Sequence, residues 1–207
     1  AGLTQINEGN GIGFRLEGKN SANYGNIGLN AVDLSNSLNV STTRGASGSG
    51  SYAAGFGTTA SGSASHAEGQ FTTASGYNSH SEGFETTASS YSEHAGGYYN
   101  TLYTPSSETA VSPTDRVFGI GNGTISSRSD AFTILKNGKV GVGFNNFETT
   151  TDSELFQING DVLVTGNVTA NGTLLTGDQD LSGLQLKSDA GLTQINEGNG
   201  IGFRLEG

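Results

Sequence analysis

The chain lacks cysteine, methionine and tryptophan altogether, and has only two prolines in 207 residues. Without cysteine there can be neither a disulfide scaffold nor a thiolate metal site. The prolines, Pro105 and Pro113, share one short stretch, so strand pairing elsewhere is free of that breaker. Large apolar residues are also few. Leu, Ile, Val and Phe make up about a fifth of the chain, near the boundary at which chains stop folding alone. Basic residues are scarce as well: 9 Lys and Arg against 19 Asp and Glu leave a net charge of -10. That excludes the basic face expected of a nucleic-acid binder and the polybasic patch that anionic lipid attracts. No apolar run reaches membrane-spanning length. The start, Ala1-Gly-Leu-Thr-Gln-Ile6, has no signal-peptide pattern; little weight rests on this, because the chain reads as an excerpt of a longer one.

What is abundant is glycine, 34 residues, and much of it is periodic. From Ser51 to about Tyr99 the sequence repeats every 14 residues. The copies are Ser51-Tyr-Ala-Ala-Gly-Phe-Gly-Thr-Thr-Ala-Ser-Gly-Ser-Ala64, Ser65-His-Ala-Glu-Gly-Gln-Phe-Thr-Thr-Ala-Ser-Gly-Tyr-Asn78 and Ser79-His-Ser-Glu-Gly-Phe-Glu-Thr-Thr-Ala-Ser-Ser-Tyr-Ser92. A partial fourth copy follows, Glu93-His-Ala-Gly-Gly-Tyr-Tyr99. A short fixed period means one structural unit stacked on itself. Each unit has room for two short strands and two turns. Gly55, Gly69, Gly83 and Gly97 mark one corner; Gly62 and Gly76 mark the other, where Ser90 replaces glycine. Stacked coils lie about 4.8 Å apart, so the ladder rises only about 17 Å. Alternation puts Ala53, Ala67, Ser81 and Ala95 on one face, with Ala60, Ala74 and Ala88 as a second small column. An interior this thin buries too little apolar area to offset backbone ordering. The missing burial must come from other chains.

A second repeat links the two ends. Residues 1–18 and 190–207 are identical, AGLTQINEGNGIGFRLEG. Two readings fit: a tandem array with a 189-residue unit, or two copies of one joint flanking a head. Residues 1–18 predict strands Leu3–Ile6 and Ile12–Leu16 around a turn at Asn7-Glu-Gly-Asn10. Asn137-Gly138 between Ala131–Lys136 and Lys139–Gly143 predicts a hairpin. Gly160, Gly166 and Gly172, six apart, suit a wound β-stalk. The expected segments are a joint and lead-in (1–44), a roll (45–99), a neck and hairpin region (100–154), a stalk (155–189) and the repeated joint (190–207). No helix of any length is expected.

The pentads Ser51-Tyr-Ala-Ala-Gly55, Ser65-His-Ala-Glu-Gly69 and Ser79-His-Ser-Glu-Gly83 resemble the head repeats of trimeric autotransporter adhesins, the YadA-like left-handed β-roll. Their His/Glu version resembles repeats in phage tail fibres and neck appendages. Ser129–Gly143 and Ile158–Gly166 are similar to segments of the same fibres. The resemblance touches about two thirds of the chain. It implies an all-β homotrimeric fibre: a YadA-like left-handed parallel β-roll head, then a β-hairpin neck and a triple β-stalk. It implies an extracellular place, on a virion tail fibre or a cell surface, and a host or surface glycan or protein as receptor. A bacterial trimeric adhesin is the alternative to a tail fibre, and a fibre-borne polysaccharide depolymerase a distant one.

Candidate site residues follow the period. His66, His80 and His94 stand 14 apart, with Glu68 and Glu82 two residues on, where the adhesin pattern has apolar residues. They read either as axial ligands of Zn or Ni or as a polar ladder of His–Glu hydrogen bonds. The aromatics Phe56, Phe71, Tyr77, Phe84 and Tyr91 read either as sugar-stacking surface residues or as the seam between chains. In the pairs Thr58-Thr59, Thr72-Thr73 and Thr86-Thr87, adjacent side chains oppose, so each gives one outward column of strand-forming Thr. No enzyme is expected. Gly119-Ile-Gly-Asn-Gly-Thr124 lacks the helix and lysine of a phosphate loop, and no nucleophile elbow is present. No cofactor is expected.

Overall fold

A computed structural model describes residues 2–151 and 153–165, together with the backbone of Leu192–Asn196 and Ile201–Leu205. Among these residues the only helical segments are two 3-10 turns, Ser21–Asn23 and Phe147–Thr149. None is long or apolar enough to cross a membrane. Everything else regular is β-structure.

The chain opens with the expected antiparallel hairpin, β1 (Leu3–Asn7) and β2 (Ile12–Leu16). It then winds as a parallel β-solenoid through β3 (Val32–Asn36), β4 (Gly45–Ala46), β5 (Tyr52–Phe56), β6 (Thr59–Ala60), β7 (His66–Ala67), β8 (Thr73–Ala74), β9 (His80–Ser81), β10 (Thr87–Ala88), β11 (His94–Tyr98) and β12 (Arg116–Asn122). β4, β6, β8 and β10 make a four-stranded parallel sheet. The others join β2 in a longer sheet, with His66 opposite His80 and His80 opposite His94. A core of Ile27, Ala31, Ala46, Ala53, Ala60, Ala67 and Ala74 lies inside. The 14-residue period and both small interior columns are as the sequence predicts.

β12 passes into the hairpin of β13 (Asp130–Leu135) and β14 (Val140–Val142), which turns at Asn137-Gly138 with Gly138 at φ 87°. β15 (Phe156–Ile158) pairs parallel to β14, closing an eleven-stranded sheet. The joint, roll and hairpin region therefore share one sheet, and this compact unit runs from Ala1 to Val162. A second unit, Leu163–Gly207, contains the hairpin of β16 (Leu192–Asn196) and β17 (Ile201–Leu205). Its register repeats that of the first hairpin: Leu192 faces Leu205 as Leu3 faces Leu16. Most of the expected stalk, residues 166–189, lies outside the described residues.

Two glycine columns set how tightly the coils stack. A Cβ on Gly55, Gly69 or Gly83 would come within 2.0–2.2 Å of the carbonyl oxygen of the glycine one coil on. A Cβ on Gly48, Gly62 or Gly76 would meet the next coil's carbonyl at 2.0–2.1 Å. Ser90 ends the second column because no further coil stacks there. Its hydroxyl instead donates to the Arg116 carbonyl at 2.6 Å.

That last coil is a designed stop. In earlier coils the N–H groups of Ser75 and Gly76 donate to Ala88 of the coil above. The corresponding N–H groups of Ser89 and Ser90 have no coil above, and the Glu93 carboxylate accepts both, at 2.9 and 2.8 Å. Thr73 donates to the carbonyl of Thr86, but Thr87 meets the Asn100 side chain, whose amide accepts from its N–H and donates to its C=O, each at 2.9 Å. One side-chain amide thus stands in for the peptide group of the next strand, satisfying backbone groups that burial would otherwise orphan. Residues 100–115 contain no strand and run back over the roll, where Ser107 and Glu108 accept from the N–H groups of Tyr91 and Tyr77.

Each end of the solenoid encloses a buried arginine. Arg15 bonds Asp33 (3.0 Å) and Glu8 (3.3 Å) and lies over the Tyr24 ring. Arg116 bonds Glu148 (2.7 Å) and Asp130 (3.2 Å) and lies over the Tyr103 ring. Both are essentially inaccessible to solvent. Burial pushes the carboxyl groups of Asp130 and Glu93 above their ordinary values, although Arg116 opposes the shift in both.

Candidate functional site

The side of the long sheet that faces away from the solenoid interior is the site candidate, because its residues are the reverse of what a solitary solenoid needs. In β3, Asp33 and Ser35 are buried inside while Val32 and Leu34 point outward, and Ser37 just beyond the strand is buried as well. In β2, Arg15 is inside and Phe14 outside. In β12 and β13, Gly119 and Thr133 lie inside, and Phe118, Ile120, Phe132 and Ile134 lie outside. β14 presents Val140 and Val142 around a buried Gly141, whose inner side is filled by Phe147. The middle coils have room only for small side chains, and the ends are filled by the arginine networks with a few apolar residues such as Ile27 and Phe147, so alternation turns the other large apolar groups of these strands outward.

Register lines these groups up. One outward column runs Phe14, Val32, Tyr52, His66, His80, His94, Phe118, Ile134, Val140 and Phe156. The column beside it runs Leu34, Ala54, then Glu68 and Glu82, then Gly96, Ile120, Phe132, Val142 and Ile158. The face is apolar toward both ends and polar only across three middle coils. Rings follow one another along it from Tyr52 to Phe118. Tyr52 meets His66 edge-on at 4.8 Å, and His66 lies parallel to His80 at 4.5 Å. His80 meets His94 at 4.6 Å, Phe118 follows at 5.3 Å, and Phe132 of the neighbouring column lies 6.2 Å beyond it.

The histidine and glutamate residues named from the sequence come together, but unevenly. His94 Nε2 lies 3.3 Å from Glu82 Oε1, a long hydrogen bond. His66 and His80 instead share Glu68, with Nε2 of each 3.7 Å from one of its two carboxylate oxygens. That is too far for hydrogen bonding. Both Nε2 atoms are shut off from solvent and have no hydrogen-bond partner. Burial lowers the His80 pKa, and the neighbouring His66 and His94 lower it further, so the neutral imidazole is favoured.

The candidate aromatics divide into two groups. Phe56, Phe71 and Phe84 belong to a zigzag of rings that ends on Tyr99, with centroids 5.2–6.4 Å apart. Arg44 lies over Phe71, and Arg128 over Tyr99. Phe71 and Tyr99 are held at φ 56° and 48°, unusual for bulky residues. Tyr77 and Tyr91 lie instead where residues 107 and 108 bond back to the roll. Of the threonine pairs, Thr58, Thr72 and Thr86 are buried, leaving one outward column, as alternation requires.

Sequence reasoning missed the apolar outer face and both arginine networks. The signal for the face was alternation, as in Val32-Asp-Leu-Ser-Asn36, Phe118-Gly-Ile120 and Val140-Gly-Val142, which sets the period but not which set points inward. The chain matches no protein-family model, no curated protein and no solved structure.

Proposed function

We propose that this chain is a structural segment of an extracellular homotrimeric fibre, a phage or phage-like tail fibre, whose roll is of the left-handed YadA-like kind. Its role is to span distance and present attachment surfaces. The observation that supports this reading is the reversed alternation of β2, β3, β12, β13 and β14. It leaves apolar stretches toward both ends of the outer face of the long sheet, of the kind that marks an interaction surface. Sister chains are the occupants that fit it. The middle of the face offers imidazoles beside carboxylates, and a band that carries donors and acceptors in the same rows is complementary to a rotated copy of itself. Three copies follow the fibres whose pentads this chain resembles. Attachment then works by avidity, as three chains multiply weak contacts with a surface glycan or protein.

Mass measurement in native buffer tests the assembly: the expected species is three times the chain mass, and a folded monomer overturns the reading. Phe132→Asp puts a charge on the outer face without touching the interior. It is expected to dissociate the assembly while the β-sheet circular dichroism of the chain persists or weakens only partly. An assembly indifferent to that charge overturns the choice of this face.

A further inference from the structure

We infer that His66, His80 and Glu68 form a binding site for a divalent transition-metal ion, complete within one chain. Three observations converge. First, the potential ligand atoms, the imidazole nitrogens and a carboxylate oxygen, all lie within 4.8 Å of one another. Second, His66 Nε2 and His80 Nε2 each stand 3.7 Å from a Glu68 oxygen. A tetrahedral ion with bonds of about 2.0–2.1 Å holds its donors roughly 3.3 Å apart. The two contacts run to different oxygens of Glu68, lie beyond hydrogen-bonding range and are somewhat wider than around a shared ion, so the donors draw together when one binds. Third, both Nε2 atoms are closed to solvent and bonded to nothing, a costly state for a ring nitrogen unless something else occupies its lone pair.

His66 and His80 stack at 4.5 Å with planes only 3° apart, so their in-plane lone pairs run side by side, and each ring must turn about its Cβ–Cγ bond to meet one ion. Parallel strand pairing fixes their spacing, because His66 and His80 are direct partners in adjacent strands. Glu68 follows two residues after His66 on the same outward side, so its carboxylate reaches the gap that the two rings frame. The third rung provides an internal contrast. His94 is turned by 58° from His80 and takes Glu82 as a hydrogen-bond partner. Gly96 stands where a third carboxylate would be. The ladder thus contains one three-ligand cluster rather than a uniform row.

Two imidazoles with one carboxylate select zinc, nickel, copper or cobalt over magnesium and calcium, which prefer all-oxygen shells. Three protein ligands leave a fourth position for water or a donor from another chain. The site needs no sister chain, so it stands or falls apart from the trimeric reading.

The test uses tag-free protein, so that no engineered histidines compete, stripped with chelator and dialysed against Co²⁺ and then Zn²⁺. The expected result is about one ion per chain, with the visible absorption of four-coordinate Co²⁺ that Zn²⁺ abolishes. Glu68→Gln preserves shape and His80→Ala removes a ligand on the outer face; each is expected to weaken uptake by at least the roughly 10–100-fold that losing a mere outer-shell partner of a ligand costs. His94→Ala is expected to leave uptake unchanged. Circular dichroism confirms that each variant keeps its β-structure. Absence of stoichiometric Co²⁺ uptake overturns the inference. So does uptake that Glu68→Gln leaves intact, or that His94→Ala diminishes as much as His80→Ala.

Discussion

The middle coils and the two ends of the solenoid solve opposite problems. In the middle the interior is alanine, serine and threonine, and the outer face carries His66, His80, His94, Glu68 and Glu82. At the ends the interior holds Arg15 with Asp33 and Arg116 with Asp130, while the outer face is Phe14, Val32, Leu34, Phe118 and Phe132. A middle coil is bounded by its neighbours and can repeat. An end has a neighbour on one side only and must terminate a stack of backbone groups within the same narrow tube. Polar side chains with many donors suit that task, and beside a few buried apolar residues such as Ile27 and Phe147 they send the large apolar groups of the flanking strands outside. Repetition therefore marks where the structure is self-supporting. Loss of repetition, as at Ser90 and Glu93, marks where it ends.

The sharpest way to break this contrast is to remove an end's central cation. Arg116→Ala strands the buried Asp130 and Glu148 carboxylates and withdraws the donors to the Thr101 carbonyl and hydroxyl. Breaking one partner of a buried ion network costs about 3–5 kcal/mol. Denaturant unfolding should show that loss, and a change below about 1 kcal/mol, the scale of an exposed pair, would mean the network is accessible to water.

A smaller effect separates the two kinds of coil directly. Gly76→Ala places a methyl 2.0 Å from the Ser90 carbonyl oxygen, so the stack must open. Overpacking of this sort costs about 1–3 kcal/mol. Ser90→Ala, one coil later in the same column, meets no carbonyl above, but it removes the hydroxyl that donates to the Arg116 carbonyl and accepts from Lys136 Nζ. Its cost is that of lost hydrogen bonds, about 1 kcal/mol each, with the stack left closed. A Gly76→Ala chain that melts with the unaltered one would erase the distinction between middle and end.

The smallest effect is in the pH dependence. Burial raises the Glu93 pKa in the folded chain above the ordinary 4.5, against the pull of the Ser90 and Ser89 N–H groups and of Arg116 and Lys136. The folded state therefore binds this proton more tightly than the unfolded state does. The contribution of Glu93 to stability is full below the unfolded pKa and is lost as pH rises through the folded one. Glu93→Gln should flatten that decline above pH 4.5 relative to the natural chain, measured as unfolding free energy against pH. A wild-type-minus-variant difference that grows with pH would reverse the sign argued here.

The particulars show why some of this was legible in the sequence. The period, the Ala53–Ala67–Ser81–Ala95 column and the Asn137-Gly138 hairpin depend on local spacing and local turn chemistry, which sequence carries directly. The partial fourth copy was visible too, but its departures read as loss of pattern. Only the structure gives Ser90, Glu93 and Asn100 their roles in closing the last coil. Arg15 and Arg116 gave no signal, because arginine is ordinarily a surface residue and its partners Asp33 and Glu148 lie 18 and 32 positions away. The apolar outer face was hidden for another reason. In Val32-Asp-Leu-Ser-Asn36 the usual rule would send valine and leucine inward, and the narrow interior reverses it. His66, His80, His94, Glu68 and Glu82 were named together, but the separation of His94 and Glu82 from the other three follows from Gly96 and from packing beside Phe118.

The glycine columns also bear on how such a chain can change over generations. Each coil is interchangeable with the next, because its contacts above and below are the same carbonyl-to-glycine approach. A duplication or deletion of 42 nucleotides would, on a 14-residue unit, add or remove a whole coil and move the ends apart by about 4.8 Å. The closing residues would travel with the ends untouched. Length is thereby a heritable quantity that comes in fixed increments, adjustable by recombination without redesign of either terminus.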